Sequence, residues 1–209
     1  MGDDKRWLAP LSGLLFLALM IASFALVGEP PSVEDDSAQE IVDHYSDNKD
    51  DVMFGAAIGG LASVALLFFG GYLRKVLSDA EGDRGFLSAV SFAGVIVIAT
   101  GAAIDNTINF ALAEAADDID PTGAQTLQAL WDNDFIPFSV GLFTFLMATG
   151  ISIVRHGALP KWMGWVAIVA SLTAISPAFP VAGIAAILLI AISSVMLARR
   201  ERAGSAPAA

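Results

Sequence analysis

The chain has 209 residues, 56% of them hydrophobic and only 16% charged, with a mean hydropathy of +0.66 and a formal net charge of −11. Such a composition excludes an ordinary soluble domain and belongs to a polytopic membrane protein of a single domain. There is no cysteine, so disulfides, thiolate nucleophiles and cysteine-held metals are excluded, and no basic face is broad enough for nucleic acid.

Residues 1–7 carry Lys5 and Arg6. Residues 8–27 then give 20 largely apolar positions, about 30 Å of helix, enough to cross a bilayer. The apolar core of a cleavable signal peptide is shorter, about 7–15 residues, so the stretch reads as a retained first span. Residues 28–51 form an acidic loop. Pro30 and Pro31 stop the helix, and Ser32 with Asp35 resembles an N-terminal capping pair. Ile41, Val42 and Tyr45 recur at helical spacing, which predicts a short amphipathic helix between the first two spans. His44 within it reads as a surface histidine.

The second span is 52–73. Gly55, Gly59 and Ser63 share one face and read as a helix-packing stripe. Residues 74–85 are a polar loop of mixed charge that reads as solvated. The third span, 86–112, carries the most informative pattern. With Asp105 at 0°, a helical wheel at about 100° per residue puts Asn109 at about 40°, Asn106 at about 100°, Ala102 at about 60°, Gly94 at about −20° and Gly101 at about −40°. Polar and small side chains thus share one arc. Phe92, Ile96, Val97, Ile104 and Phe110 take the other side, where lipid can lie. A carboxylate in hydrocarbon costs about 2.5–3.5 kcal/mol, so Asp105 should face the bundle or a wet cleft.

Glu114 to Asp120 is a polar helix end, with Pro121 read as its stop. The fourth span is 134–154, opened by Trp131 at the interface, with Asp132 or Asp134 free to cap it and Pro137 in its first turn. Arg155 and Lys161 bracket the next short loop. Residues 162–179 and 180–198 make a closing hairpin. The apolar run of its first arm is only about 15 residues, or about 22 Å, so a re-entrant form is the alternative to two full spans. Residues 199–209 read as a basic anchor followed by an unstructured tail.

The expected fold is therefore all-α, a six-helix membrane bundle with both termini cytoplasmic. Ten of the eleven Lys and Arg fall in segments on one side, while fifteen acids face only Lys49 on the other. That is a strong positive-inside signal for the plasma membrane. Ser12, Ser63 and Ser171, lying in apolar helices, should bond to backbone carbonyls.

Three stretches carry a resemblance: SAQEIVDHYSDNKDDVMFG, FFGGYLRKVLSDAEGDRGFLSAVSFAGVI and GALPKWMGW. They resemble a large group of uncharacterised bacterial integral membrane proteins common in actinobacteria. That group has an acidic AxEIxxYY-like segment, a Leu-Arg-x-Leu helix end and an LPRWLGW-like loop. Here His44 stands before Tyr45 in place of a second tyrosine, and Lys161 replaces arginine. The resemblance implies six helices and no particular activity.

The leading functional reading is a non-catalytic membrane protein with a packing, sensing or accessory role. Its partners would be the lipid bilayer and a second copy or another membrane protein. The alternative is a small solute- or cation-handling protein whose outer cleft is lined by Asp105, Asn106 and Asn109, with Asp132 and Asp134. Carboxylate and amide oxygens suit hard cations or protonated amines. A membrane enzyme with an outer carboxylate site is the third reading. No catalytic, cofactor-binding or metal-ligating set is assigned, and no cofactor is expected.

Overall fold

The chain folds as a bundle of antiparallel helices with a small helical cap at one end. The structure is a computed structural model and describes residues 3–82 and 85–204. Among the described residues every regular element is helical. A 3-10 run, Asp3–Leu11, leads into α1 (Ser12–Val27), and α2 (Ala38–Asp47) follows the first loop. The long helices α3 (Lys49–Glu81) and α4 (Phe86–Ala115) come next, then α5 (Pro121–Asp132) and α6 (Phe135–His156). α7 (Lys161–Ser171) ends in the 3-10 turn Leu172–Ile175, and α8 (Phe179–Gly204) closes the chain.

Five helical runs are long and apolar enough to cross a membrane: Trp7–Val27, Lys49–Glu81, Phe86–Ala115, Pro121–His156 and Phe179–Gly204. The remaining one, Lys161–Ile175, is shorter, as its sequence length foretold.

Local chemistry sets the boundaries. Ser37 and Glu40 form a reciprocal capping box at the start of α2, with 2.8 Å and 3.3 Å bonds. The expected Ser32–Asp35 pair does not cap it; Ser32 instead opens a turn whose backbone N–H donates to Asp36. α3 stops at Gly82 (φ +70°) and α6 at Gly157 (φ +75°), backbone angles that a side chain disfavours. The sequence places Pro121 as a stop and no helix before the span at 134, yet residues 121–132 form α5. Asp120 accepts from Thr122 N–H at 2.9 Å and Pro121 occupies the first helical position, so this proline starts a helix rather than ending one. Asp134 sits at the head of α6 without a side-chain capping bond, and Asp132 does not cap it either. The basic anchor from 199 is the end of α8, which stays helical to Gly204, into the expected unstructured tail; residues 205–209 lie outside the described residues.

Close packing is set by glycine. A Cβ on Gly94 of α4 would strike the backbone of Phe145 and Gly141 on α6, and one on Gly150 of α6 would strike Gly164 O of α7. Gly55 lies against Val27, Leu26 and Ser23 O of α1. These are the close approaches that small residues permit between helices. Ile96 and Ile104 face outward as the wheel required, but Phe92 turns inward over Gly70 of α3. Ser12, Ser63 and Ser171 each donate to a carbonyl of their own helical segment.

The buried side chains form two groups. A larger one, with Leu66, Phe69, Phe145 and Leu146, fills the bundle. A smaller one, with Ile41, Tyr45, Val52, Leu112 and Ala124, joins α2 and α5 to the ends of α3 and α4.

The two ends differ in charge. At one, Tyr72 donates to Glu201 (2.6 Å), Arg200 to Ala158 O (2.7 Å), and the Arg202 guanidinium lies 3.8 Å over the Trp7 ring. Glu81 is buried there, accepting from Ser152 Oγ at 2.6 Å and Leu87 N–H at 3.1 Å. It ties α3, α4 and α6 together, so residues 74–81, expected as a solvated polar loop, are instead the last two turns of α3. At the other end lie the acidic segments 28–51 and 114–134, with Lys49 held to Asp117 at 2.6 Å.

Candidate functional site

Asp105, Asn106 and Asn109 project from the part of α4 nearest the cap. Each amide nitrogen bonds back to its own helix: Asn106 Nδ2 to Ala102 O at 2.6 Å, Asn109 Nδ2 to Asp105 O at 3.3 Å. Their carbonyl oxygens are thereby left for other partners. Asn106 Oδ1 occupies the space over Gly59 of α3, where a Cβ would collide with the amide. The two glycines of the α3 stripe thus have separate tasks, Gly55 admitting α1 and Gly59 admitting the Asn106 side chain.

All three side chains line a cavity of about 300 Å³ bounded by α1, α3, α4, α6 and α8. Its walls are apolar. Phe16, Met20 and Phe24 come from α1, Ala62 and Leu66 from α3, Leu142 and Phe145 from α6, and Ala186 and Ile190 from α8. The polar groups gather at the cap end. There Gly28 and Pro30 from the loop after α1, with Trp131 from α5, form a roof. The Trp131 indole lies beside the Asp105 carboxyl, its buried Nε1 short of a formed hydrogen bond.

Asp132 and Asp134 are not in the cavity wall. Asp132 belongs to a network that holds the roof down. Its carboxylate accepts from Val33 N–H (3.1 Å) and Gln128 Nε2 (3.0 Å), while Gln128 Nε2 also donates to Pro31 O (2.7 Å). The Tyr45 phenol, on α2, lies 2.9 Å from Gln128 Oε1 and 3.1 Å from Asn109 Oδ1. Tyr45, Gln128 and Asn109 are all buried. Burial first, then the charges of Asp132 and Asp105, push the Tyr45 phenol above its usual range, so it stays a donor. Asp134 stands close enough to Asp105 for their charges to repel, and its Oδ2 is buried with no hydrogen-bond partner among the described residues. No cluster of three or more metal-ligating side chains occurs among the described residues.

Sequence reading singled out Asp105, Asn106 and Asn109, and they lie together. It missed Gln128, the network role of Tyr45, and the place of Trp131, read as an interface residue, in the cavity roof. Gln128 and Trp131 belong to α5, and a helical reading of 121–132 would have put Ala124 and Gln128, one turn apart, on its inner face.

A family model described as a domain of unknown function (DUF4386) matches residues 11–200. No curated protein and no solved structure matches the chain.

Proposed function

We propose, for a chain that belongs to the DUF4386 family, a non-catalytic role in the membrane: it binds a small amphipathic molecule in the cavity beneath its cap. One observation carries this reading. The space of about 300 Å³ has largely apolar walls, in which the hydroxyls of Ser23 and Ser63 are bonded to backbone carbonyls, and its carboxyl and amide groups, Asp105, Asn106 and Asn109, come from one stretch of α4. That is the usual make-up of a ligand pocket, which spans about 300–1,000 Å³ and sets a few polar groups in an apolar wall.

The bundle crosses the plasma membrane six times in this reading, with both termini in the cytoplasm. The basic residues gather at the Glu81 end and the acidic ones at the cap end, which the positive-inside rule places outside. Lys161–Ile175 reaches most of the way, helped by its closing 3-10 turn, which rises about 2.0 Å per residue instead of about 1.5 Å. The packing stripe of Gly55 and Gly59 is occupied within the chain itself, so small-solute binding stands ahead of a purely associative role.

Thermal unfolding of the full chain in mild detergent, with and without decylamine, tests the reading. Saturation at about 100 times Kd stabilises by about 2.7 kcal/mol. For about 200 residues that raises Tm by about 5–10 °C. The rise should disappear in Asp105→Asn and shrink in Asn106→Leu. No rise with the unaltered protein contradicts the reading.

A further inference from the structure

The cavity is bounded at its two ends. Its roof, Gly28, Pro30 and Trp131, is anchored next to Pro30 by the Gln128 bond to Pro31 O, and two residues further by Val33 N–H on Asp132. Toward the other end, Gly13 of α1 presses on Ser194 and Ile190 of α8 and on Phe69 of α3, leaving no passage between the helices. Nearer the cap α1 turns to α3 instead, where Ser23 Oγ donates to Gly55 O at 2.8 Å. Apart from Gly28 in the roof, the exposed residues of the cavity wall are Phe24 on α1 (66%) and Ile187 on α8 (37%). They mark the mouth. Gly183, one turn from Ile187, also lines the cavity, and a Cβ there would meet nothing within 4 Å.

We infer that the ligand is a single-tailed amphiphilic amine that enters sideways from the outer leaflet, between α1 and α8. This rests on the reading of the cavity as a binding site. Both helices are candidate spans, so the mouth faces hydrocarbon rather than water. An amphiphile in the outer leaflet already points its head toward the cap and its tail toward the bundle centre, so it slides in without turning over. About 300 Å³ lies at the small end of ligand pockets and suits one chain, not two.

The head is assigned by charge and by hydrogen-bond sense. Asp105 puts a carboxyl in the cavity wall, and Lys49, the basic residue of the outer segments, is committed to Asp117. A cation from the ligand meets this imbalance. An ammonium brings three donors and no acceptor. The cavity offers it the Asp105 carboxylate and the Asn106 amide, whose nitrogen is already engaged with Ala102 O.

The test uses the full chain in phosphatidylcholine vesicles with radiolabelled decylamine, decanol and decanoate as probes. The chain has no cysteine, so Phe24→Cys with Ile187→Cys forms a unique pair that a reducible bis-maleimide can bridge. Bridging should slow decylamine loading at least about tenfold, and reduction should restore it. Gly183→Leu should weaken binding at least about tenfold without lowering the ligand-free Tm. Decylamine should bind at least about tenfold tighter than decanoate or decanol. Unchanged loading across the bridge, while Asp105→Asn still abolishes binding, overturns the lateral route and leaves the site standing. Decanoate binding as tightly as decylamine overturns the head assignment. Absence of binding by all three probes to the unaltered chain overturns the site itself, and this inference with it.

Discussion

Tyr45 of α2 and Gln128 of α5 share a 2.9 Å hydrogen bond across 83 positions of sequence, and both side chains are buried. A phenol has one proton, and the shorter contact is the one to Gln128. The same oxygen lies 3.1 Å from Asn109, so this atom links the cap to the helix that carries Asp105. Tyr45→Phe keeps the ring packing and removes the donor, leaving buried amide groups unpaired. The expected loss is about 1–3 kcal/mol. Thermal unfolding reads the size, and amide exchange should show faster opening in α2 and α5 than in α6.

Glu81 should behave as a clamp. It is buried and accepts from both Ser152 Oγ and Leu87 N–H, joining the end of α3 to the start of α4 and to α6. Glu81→Ala strands both donors at a cost of about 1–3 kcal/mol. Glu81→Gln retains an acceptor oxygen and should lose less. Unfolding in detergent ranks the two; equal losses would show that the hydrogen bonds are not what matters.

Two glycine classes should respond with opposite sign. On Gly94 a methyl group meets the α6 backbone, which has little room to move, so Gly94→Ala should destabilise by about 1–3 kcal/mol. On Gly71, in the middle of α3, a methyl group meets nothing within 4 Å. Gly71→Ala should stabilise by about 0.5–1 kcal/mol through helix propensity alone. Paired melting curves decide it.

The cap should weaken in mild acid. Burial lowers the His44 pKa from its ordinary 6.5, against the opposing pull of Asp36 and Asp47, and its Nε2 has no hydrogen-bond partner among the described residues. A histidine whose folded pKa is depressed binds protons more readily when unfolded. Its contribution is therefore present above pH 6.5 and is lost as pH falls from there toward the folded value. Amide exchange of α2 across that window should rise in the unaltered chain and flatten in His44→Gln.

Hydropathy and periodicity carried most of the fold. Long apolar runs and glycine spacing are properties of single segments, and α1, α2 and the apolar parts of α3 and α4 were legible from them; the last two turns of α3, residues 74–81, read as loop because their charge hides the helix. α5 was not legible. Its twelve residues are too short and too polar for a hydropathy signal, and Pro121 is read as easily as a stop as a start. The site was half legible for the same reason. Asp105, Asn106 and Asn109 share one helix face, which a wheel displays. The roof that makes a cleft into a closed cavity comes from α5 and from the loop around Pro31, and only tertiary contacts bring those to α4. Asp132 and Asp134 looked alike in sequence. One is turned by Val33 and Gln128 into the cap network, and the other buries an Oδ2 that has no hydrogen-bond partner among the described residues.

Native mass spectrometry of the chain released from detergent, titrated with decylamine, tests the cavity as a binding site most directly. The unaltered protein should take up one saturable adduct, absent or much reduced in Asp105→Asn and in Gly183→Leu. Equal, unsaturable adducts on all three proteins, or none on any, would contradict it.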